Sequence, residues 1–184
     1  MNLANRLTIL RILLVPAFIA ALLYYTPENH FFYFVALGTF FVACVTDGLD
    51  GYVAKKLNQK TEFGSYMDPL ADKFLLLSGF LSLSLMQNLP DGMRIPAWVT
   101  IPIISRDVVI LAGSLMVFMA TGKLKAKPLF VGKLTTVAQM ATLSLSLLMA
   151  PFWLREVFYF LVLSFTVWSG ALYIRLGGDL FQEA

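Results

Sequence analysis

The sequence predicts an all-α, polytopic membrane protein of six transmembrane helices in a single domain over residues 1–184. The first observation is composition: 59% of residues are hydrophobic and 14% charged, whereas a soluble domain carries about 25% charged residues. The second is length, because a span needs about 20 apolar residues, and 184 residues accommodate six of them with short loops. The third is pattern: apolar runs are separated by turn signals, and the basic residues sort between alternate loops.

The first span, Leu7 to Tyr25, begins beside Arg6 and Arg11. It stays apolar too long, without a small-residue cleavage site, to be a signal peptide, so a retained helix is expected. Thr26-Pro27-Glu28-Asn29 turns the chain into a second span, Phe31 to about Val53, which ends in DGLDGYVAKK. A basic loop, Lys55 to Phe63, precedes the third span, Pro69 to Met86, which stops at Leu89-Pro90-Asp91-Gly92. The fourth span, Ile95 to Ala120, contains Arg106 and Asp107, and the Gly122 to Pro128 loop follows it. Ala150-Pro151 separates the fifth span, Leu129 to Ala150, from the sixth, Trp153 to Ile174, and the closing LGGDLFQEA reads as a short frayed tail.

Arg6, Arg11, Lys55, Lys56, Lys60, Lys73, Lys123, Lys125, Lys127, Lys133 and Arg175 fall on one side of this arrangement, and only Arg94 and Arg155 on the other. By the positive-inside bias, both termini face the cytoplasm. One cysteine, Cys44, and one histidine, His30, assemble neither a disulfide nor a soft-metal site, which excludes zinc.

The acidic stretch is the exception to this economy of charge. Asp47 and Asp50 are three apart, and Asp68 and Asp72 four apart, so each pair shares one helix face. A carboxylate within a membrane helix is unfavourable by about 2.5–3.5 kcal/mol, and four together repel one another. A hard divalent cation, Mg²⁺ or Mn²⁺, suits an all-oxygen donor set, and four carboxylates can hold two ions. Gly48, Gly51 and Gly64 flank the acids and permit close approach of a ligand or a neighbouring helix. The plainer reading has Asp47 and Asp50 reaching to the interface and pairing with Lys55, Lys56 or Lys73; it leaves the joint spacing unexplained.

Asp47-x-x-Asp50-Gly51-x-x-Ala54-Lys55, eight residues, then Gly64-x-x-x-Asp68-x-x-x-Asp72 resembles the signature of the CDP-alcohol phosphotransferases, matching seven of its eight fixed residues at the same spacing. Lys55 stands where that family has arginine; it keeps the charge and loses the planar fork. Asn5, Thr8, Arg11 and Pro16 resemble the family's first helix, and Arg106 with Gly132-Lys133 its later basic positions. Lys127 to Gln139 resembles the matching segment of the phosphatidylglycerophosphate synthases and the related cardiolipin synthases.

The resemblance implies an enzyme that moves a substituted phosphate from a CDP-linked donor to an alcohol and releases CMP. It implies Asp47, Asp50 and Asp68 as metal ligands, and Asp72 as the base, itself in reach of metal. Gly51, Lys55, Thr61 and Gly64 would contact the CDP donor. A membrane setting makes CDP-diacylglycerol the expected donor. Arg106 and Lys133 are the expected groups for an acceptor phosphate, with glycerol 3-phosphate the first expectation and phosphatidylglycerol the second; Arg106-Asp107 leans toward the second. The expected partners are these substrates, membrane lipid and a second copy of the chain, with no nucleic acid, in a bacterial inner membrane with the active site facing the cytoplasm. A cation or proton transporter is the rival class. Against it, the acids bunch at one interface, no polar path continues through Phe31 to Cys44, and no paired half-repeat appears.

Overall fold

The computed structural model describes the backbone of residues 3–56, 62–121 and 130–182, and the side chains of these outside 3–7, 49–70, 72, 114–115, 117–118, 120–121 and 176–182. Its elements are α1 (Leu3–Leu23), α2 (Phe31–Lys56), α3 (Glu62–Leu85), α4 (Ala97–Thr121), α5 (Phe130–Leu147) and α6 (Phe152–Gln182), and no strand occurs among the described residues.

Several helix ends differ from the sequence-based expectation. α3 starts at Glu62, ahead of Pro69, and α6 continues to Gln182, so the segment expected to fray is helical that far. Both differences have one cause. Apolar periodicity records where a helix meets an apolar environment, while backbone hydrogen bonding carries on into polar sequence. α5 stops at Leu147, short of Ala150. Met149 takes a left-handed φ of 49°, and the Ala150 N–H donates to the Leu145 carbonyl at 2.9 Å. This is the closure that satisfies the last carbonyls of a helix, and Pro151 then prevents its continuation.

The chain divides into two compact units, Met1–Arg94 with Leu147–Met149, and Ile95–Ser146 with Ala150–Ala184. In the first, the buried side chains include Phe18, Ala21 and Leu22 on α1, Ala36, Phe40 and Ala43 on α2, and Ala71, Leu75, Leu76, Phe80 and Leu83 on α3. Alanines at these positions let helix backbones approach, and the Phe18 and Phe40 rings fill the remaining space at 5.8 Å between centroids. In the second unit, Val99 and Ile103 on α4, Ala138 and Leu143 on α5, and Tyr159 and Val162 on α6 are buried.

Polar residues are also inside. On α5, Thr135, Gln139, Thr142 and Ser146 are buried at alternating steps of four and three, and on α6 Tyr159, Thr166 and Ser169 lie on one buried face. Large apolar side chains point outward instead: Leu13 on α1, Phe34 and Val45 on α2, Phe74 and Leu85 on α3, Ile101 and Val108 on α4, Val137 on α5, and Phe160 and Val167 on α6 are exposed. So many large apolar side chains on the outside, over an apolar interior that also admits polar ones, suit a lipid surround.

By length and apolarity, α2 over Phe31–Gly48 and α6 over Phe152–Arg175 qualify as membrane spans, each with 22% of its apolar window buried. So small a buried share separates them from the core helices of a soluble domain. The apolar parts of α1 and α3, Thr8–Leu23 and Lys73–Leu85, are shorter, and Arg106-Asp107 breaks the apolar run within the continuous helix α4.

Candidate active site

The acids occupy two helices of the first unit, Asp47 and Asp50 on α2, Asp68 and Asp72 on α3. Each pair therefore sits within a continuous helix, as its spacing predicts. The Asp47 carboxylate is the one whose surroundings are described: its Oδ1 lies 3.0 Å from the Arg11 guanidinium, with the Arg11 side chain 0% and the Asp47 side chain 28% exposed. Arg11 comes from α1, so the pair ties the first helix to the start of the acidic stretch. The side chains of Asp50, Asp68, Asp72, Gly51, Lys55 and Gly64 lie outside the described residues, as does Thr61 entirely.

The fit to a divalent cation therefore rests on Asp47 and on donor chemistry. Asp47 spends one oxygen on Arg11, and no described group takes the other. An oxygen-only set of four carboxylates matches Mg²⁺ or Mn²⁺ and not a thiophilic metal. Among the described residues no three metal-binding side chains are gathered, because three of the four acids have side chains outside them.

The second unit holds the other predicted residues. Arg106, on α4, is buried, whereas Lys133, on α5, is exposed. Arg106 donates from Nε to Ser169 Oγ on α6 at 2.9 Å and from NH1 to Asp107 Oδ1 at 2.7 Å. The Tyr173 ring lies 5.6 Å from its Cζ, within cation–π reach. Gln139 Nε2 on α5 approaches Asp107 Oδ2 at 3.4 Å, and Thr135 Oγ1 lies 3.3 Å from Ser169 Oγ. Three helices thus converge on one guanidinium. Ion pairing and directed hydrogen bonds are what make an arginine tolerable in such a position.

Sequence reasoning singled out Arg106 and missed its supports, Ser169, Gln139, Thr135 and Tyr173. A serine or threonine in an apolar helix is unremarkable singly. The signal was the spacing, since Gly132, Thr135, Gln139, Thr142 and Ser146 recur every three or four residues along one face of α5. Arg11, which the sequence marks only by its resemblance and its place among the basic residues, is held against Asp47.

Comparison with known proteins places these features in a lineage. The family model described as CDP-alcohol phosphatidyltransferase matches residues 1–168. A CDP-diacylglycerol–glycerol-3-phosphate 3-phosphatidyltransferase of Pseudomonas fluorescens is 38% identical, the match covering 95% of this chain and 89% of that protein. The protein of the same description from Escherichia coli (strain K12) is 33% identical over 99% of this chain and 98% of its own length. A probable phosphatidylglycerophosphate synthase of Mycobacterium tuberculosis (strain H37Rv) is 37% identical over 80% of this chain, which spans 66% of that longer protein. With the family model reaching from the first helix into the sixth, the chain belongs to the CDP-alcohol phosphatidyltransferase family.

Proposed function

We propose that the chain transfers the phosphatidyl group of CDP-diacylglycerol to a glycerol-type acceptor, glycerol 3-phosphate, and releases CMP. One observation carries this reading: relatives matched over nearly the whole chain are named for that transfer. The acids provide the chemistry it needs, and Arg106 provides a group for the acceptor's phosphate.

Asp47, Asp50, Asp68 and Asp72 would hold Mg²⁺ or Mn²⁺, as one or two ions. When bound, such ions neutralise diphosphate charge and ease departure of the phosphate oxygen of CMP. Arg11 holds Asp47 to one rotamer through its 3.0 Å contact, so a ligand to that carboxylate meets a pre-oriented oxygen. Asp72 would accept the proton of the acceptor hydroxyl as its oxygen bonds to the phosphatidyl phosphorus; the bond to the CMP oxygen breaks and CMP leaves with that electron pair. Gly51, Lys55, Thr61 and Gly64 would contact the CDP portion. Lys55 acts there as a point charge where arginine would supply two directed donors.

Six spans, an inner-membrane location with the site toward the cytoplasm, and a homodimer belong to the same proposal. The outward apolar side chains on all six helices support the spans, and the sorting of basic residues supports the orientation. For the homodimer the support is the family resemblance alone.

The test is product identity. Purified protein in detergent micelles receives CDP-diacylglycerol with Mg²⁺ or Mn²⁺ and, in separate reactions, glycerol 3-phosphate, phosphatidylglycerol, inositol phosphate or serine. Phosphatidylglycerophosphate formed from glycerol 3-phosphate is the expected product. Turnover with phosphatidylglycerol alone would make the chain a cardiolipin synthase and overturn the acceptor assignment.

A further inference from the structure

The Arg106 guanidinium has five N–H bonds arranged in a fixed plane. Two sides of that plane are already committed, Nε to Ser169 and NH1 to Asp107. No described group takes NH2. Beside NH2 runs the backbone of Gly132. A Cβ placed on Gly132 would stand 3.6 Å from NH2 and 3.2 Å from the Tyr173 hydroxyl, the second contact being too close without displacement of the ring. At Gly170 an added Cβ would make only an ordinary contact, 3.6 Å to Arg106 Cγ. The guanidinium is therefore fixed on two edges by hydrogen bonds, and Gly132 projects no side chain against the third.

We infer that Ser169 and Gly132 are specificity-determining residues that act through Arg106: Ser169 sets the plane of the guanidinium, and Gly132 leaves NH2 clear of a side chain so that it can meet the phosphate of a monoester acceptor. The inference rests on the reading of Arg106 as the acceptor-phosphate group and adds how its donor is aimed. Asp107 offsets much of the arginine's charge, so the pair recognises through direction more than through net charge. Lys133, exposed and next in sequence to Gly132, supplies an undirected positive charge at the same stretch of α5. A directed donor beside a diffuse charge fits a compact dianion better than a singly charged diester with two bulky substituents.

The experiment measures kcat and the KM of each substrate for full-length protein in micelles, with CDP-diacylglycerol and metal, for wild type, Ser169→Ala, Gly132→Ala and Arg106→Lys, alongside thermal unfolding of each. The two supporting substitutions act on different atoms, so a folding defect in one leaves the other to decide. The expected result is a rise in the KM for glycerol 3-phosphate of about 3- to 10-fold in Ser169→Ala and in Gly132→Ala, the range of one neutral or charge-assisted hydrogen bond. The KM for CDP-diacylglycerol stays within about twofold. A general structural role would move both KM values or the unfolding temperature together, and that result overturns the inference. If Arg106→Lys raises the acceptor KM while neither supporting substitution does, the inference fails and the Arg106 reading stands. If Arg106→Lys leaves the acceptor KM unchanged, the Arg106 reading itself fails. The same selective effect seen with phosphatidylglycerol and not with glycerol 3-phosphate would assign Arg106 NH2 to a diester and overturn the monoester class.

Discussion

Arg11 and Asp47 show how one contact links packing to chemistry. The arginine is fully buried and its partner is partly open to water, so the pair has an inner and an outer end. Loss of the inner end leaves a carboxylate that water can still reach, and the cost is that of an unmade charge-assisted hydrogen bond together with a packing gap. Arg11→Met is therefore expected to lower stability by about 1–3 kcal/mol, visible as a lower thermal midpoint of the micelle-solubilised protein. It should also raise the metal concentration needed for half-maximal activity, because Asp47 is no longer held in one orientation. An unchanged metal requirement would restrict Arg11 to a packing role. At Lys55 the expectation runs in the other direction. Lys55→Arg restores a planar fork and should leave turnover intact with an equal or lower KM for CDP-diacylglycerol, whereas Lys55→Ala should raise that KM by about 10-fold or more. Equal kinetics for the alanine variant would mean that the position does not touch the donor.

At the scale of elements, helix ends are where the molecule departs most from what periodicity foretells. Asn88 illustrates the device. Its Nδ2 lies 2.9 Å from the Leu22 carbonyl, 3.4 Å from that of Leu23 and 3.1 Å from that of Tyr25, covering the carbonyls that the C-terminus of α1 leaves without helical partners. Asn88→Ala should lower stability by about 1–2 kcal/mol, and Asn88→Asp should lower it further by turning a carboxylate toward those oxygens; thermal unfolding reads both. Nothing in the sequence announces such a cap, since donor and acceptors are more than sixty residues apart. The existence and order of the six helices were legible because apolar runs alternate with strong turn signals. The extension of α3 back to Glu62 and of α6 on to Gln182 was not, because polar helical sequence carries no hydropathy signal. Within the candidate site, the aspartates and Arg106 stood out because a charge in so apolar a chain demands a reason. Ser169, Gln139 and Thr135 did not, because each is common in apolar helices and only their shared face gives them meaning.

Across the whole molecule, the outward large apolar side chains of the described residues and a family relationship from the first helix to the sixth converge on phospholipid synthesis at a membrane. In the proposed reaction the acids would stabilise a departing nucleotide phosphate, and Arg106 would recognise the phosphate of the acceptor. The most direct test is CMP release from CDP-diacylglycerol by the purified wild-type protein, with and without glycerol 3-phosphate, after chelation and after return of Mg²⁺ or Mn²⁺, with Asp47→Asn and Asp72→Asn as parallel samples. The predicted result is CMP release in step with phosphatidylglycerophosphate formation, abolished by chelation, restored by either metal, and reduced at least about 100-fold in both variants. CMP release that persists undiminished in chelator, or in Asp47→Asn and Asp72→Asn, would contradict the account.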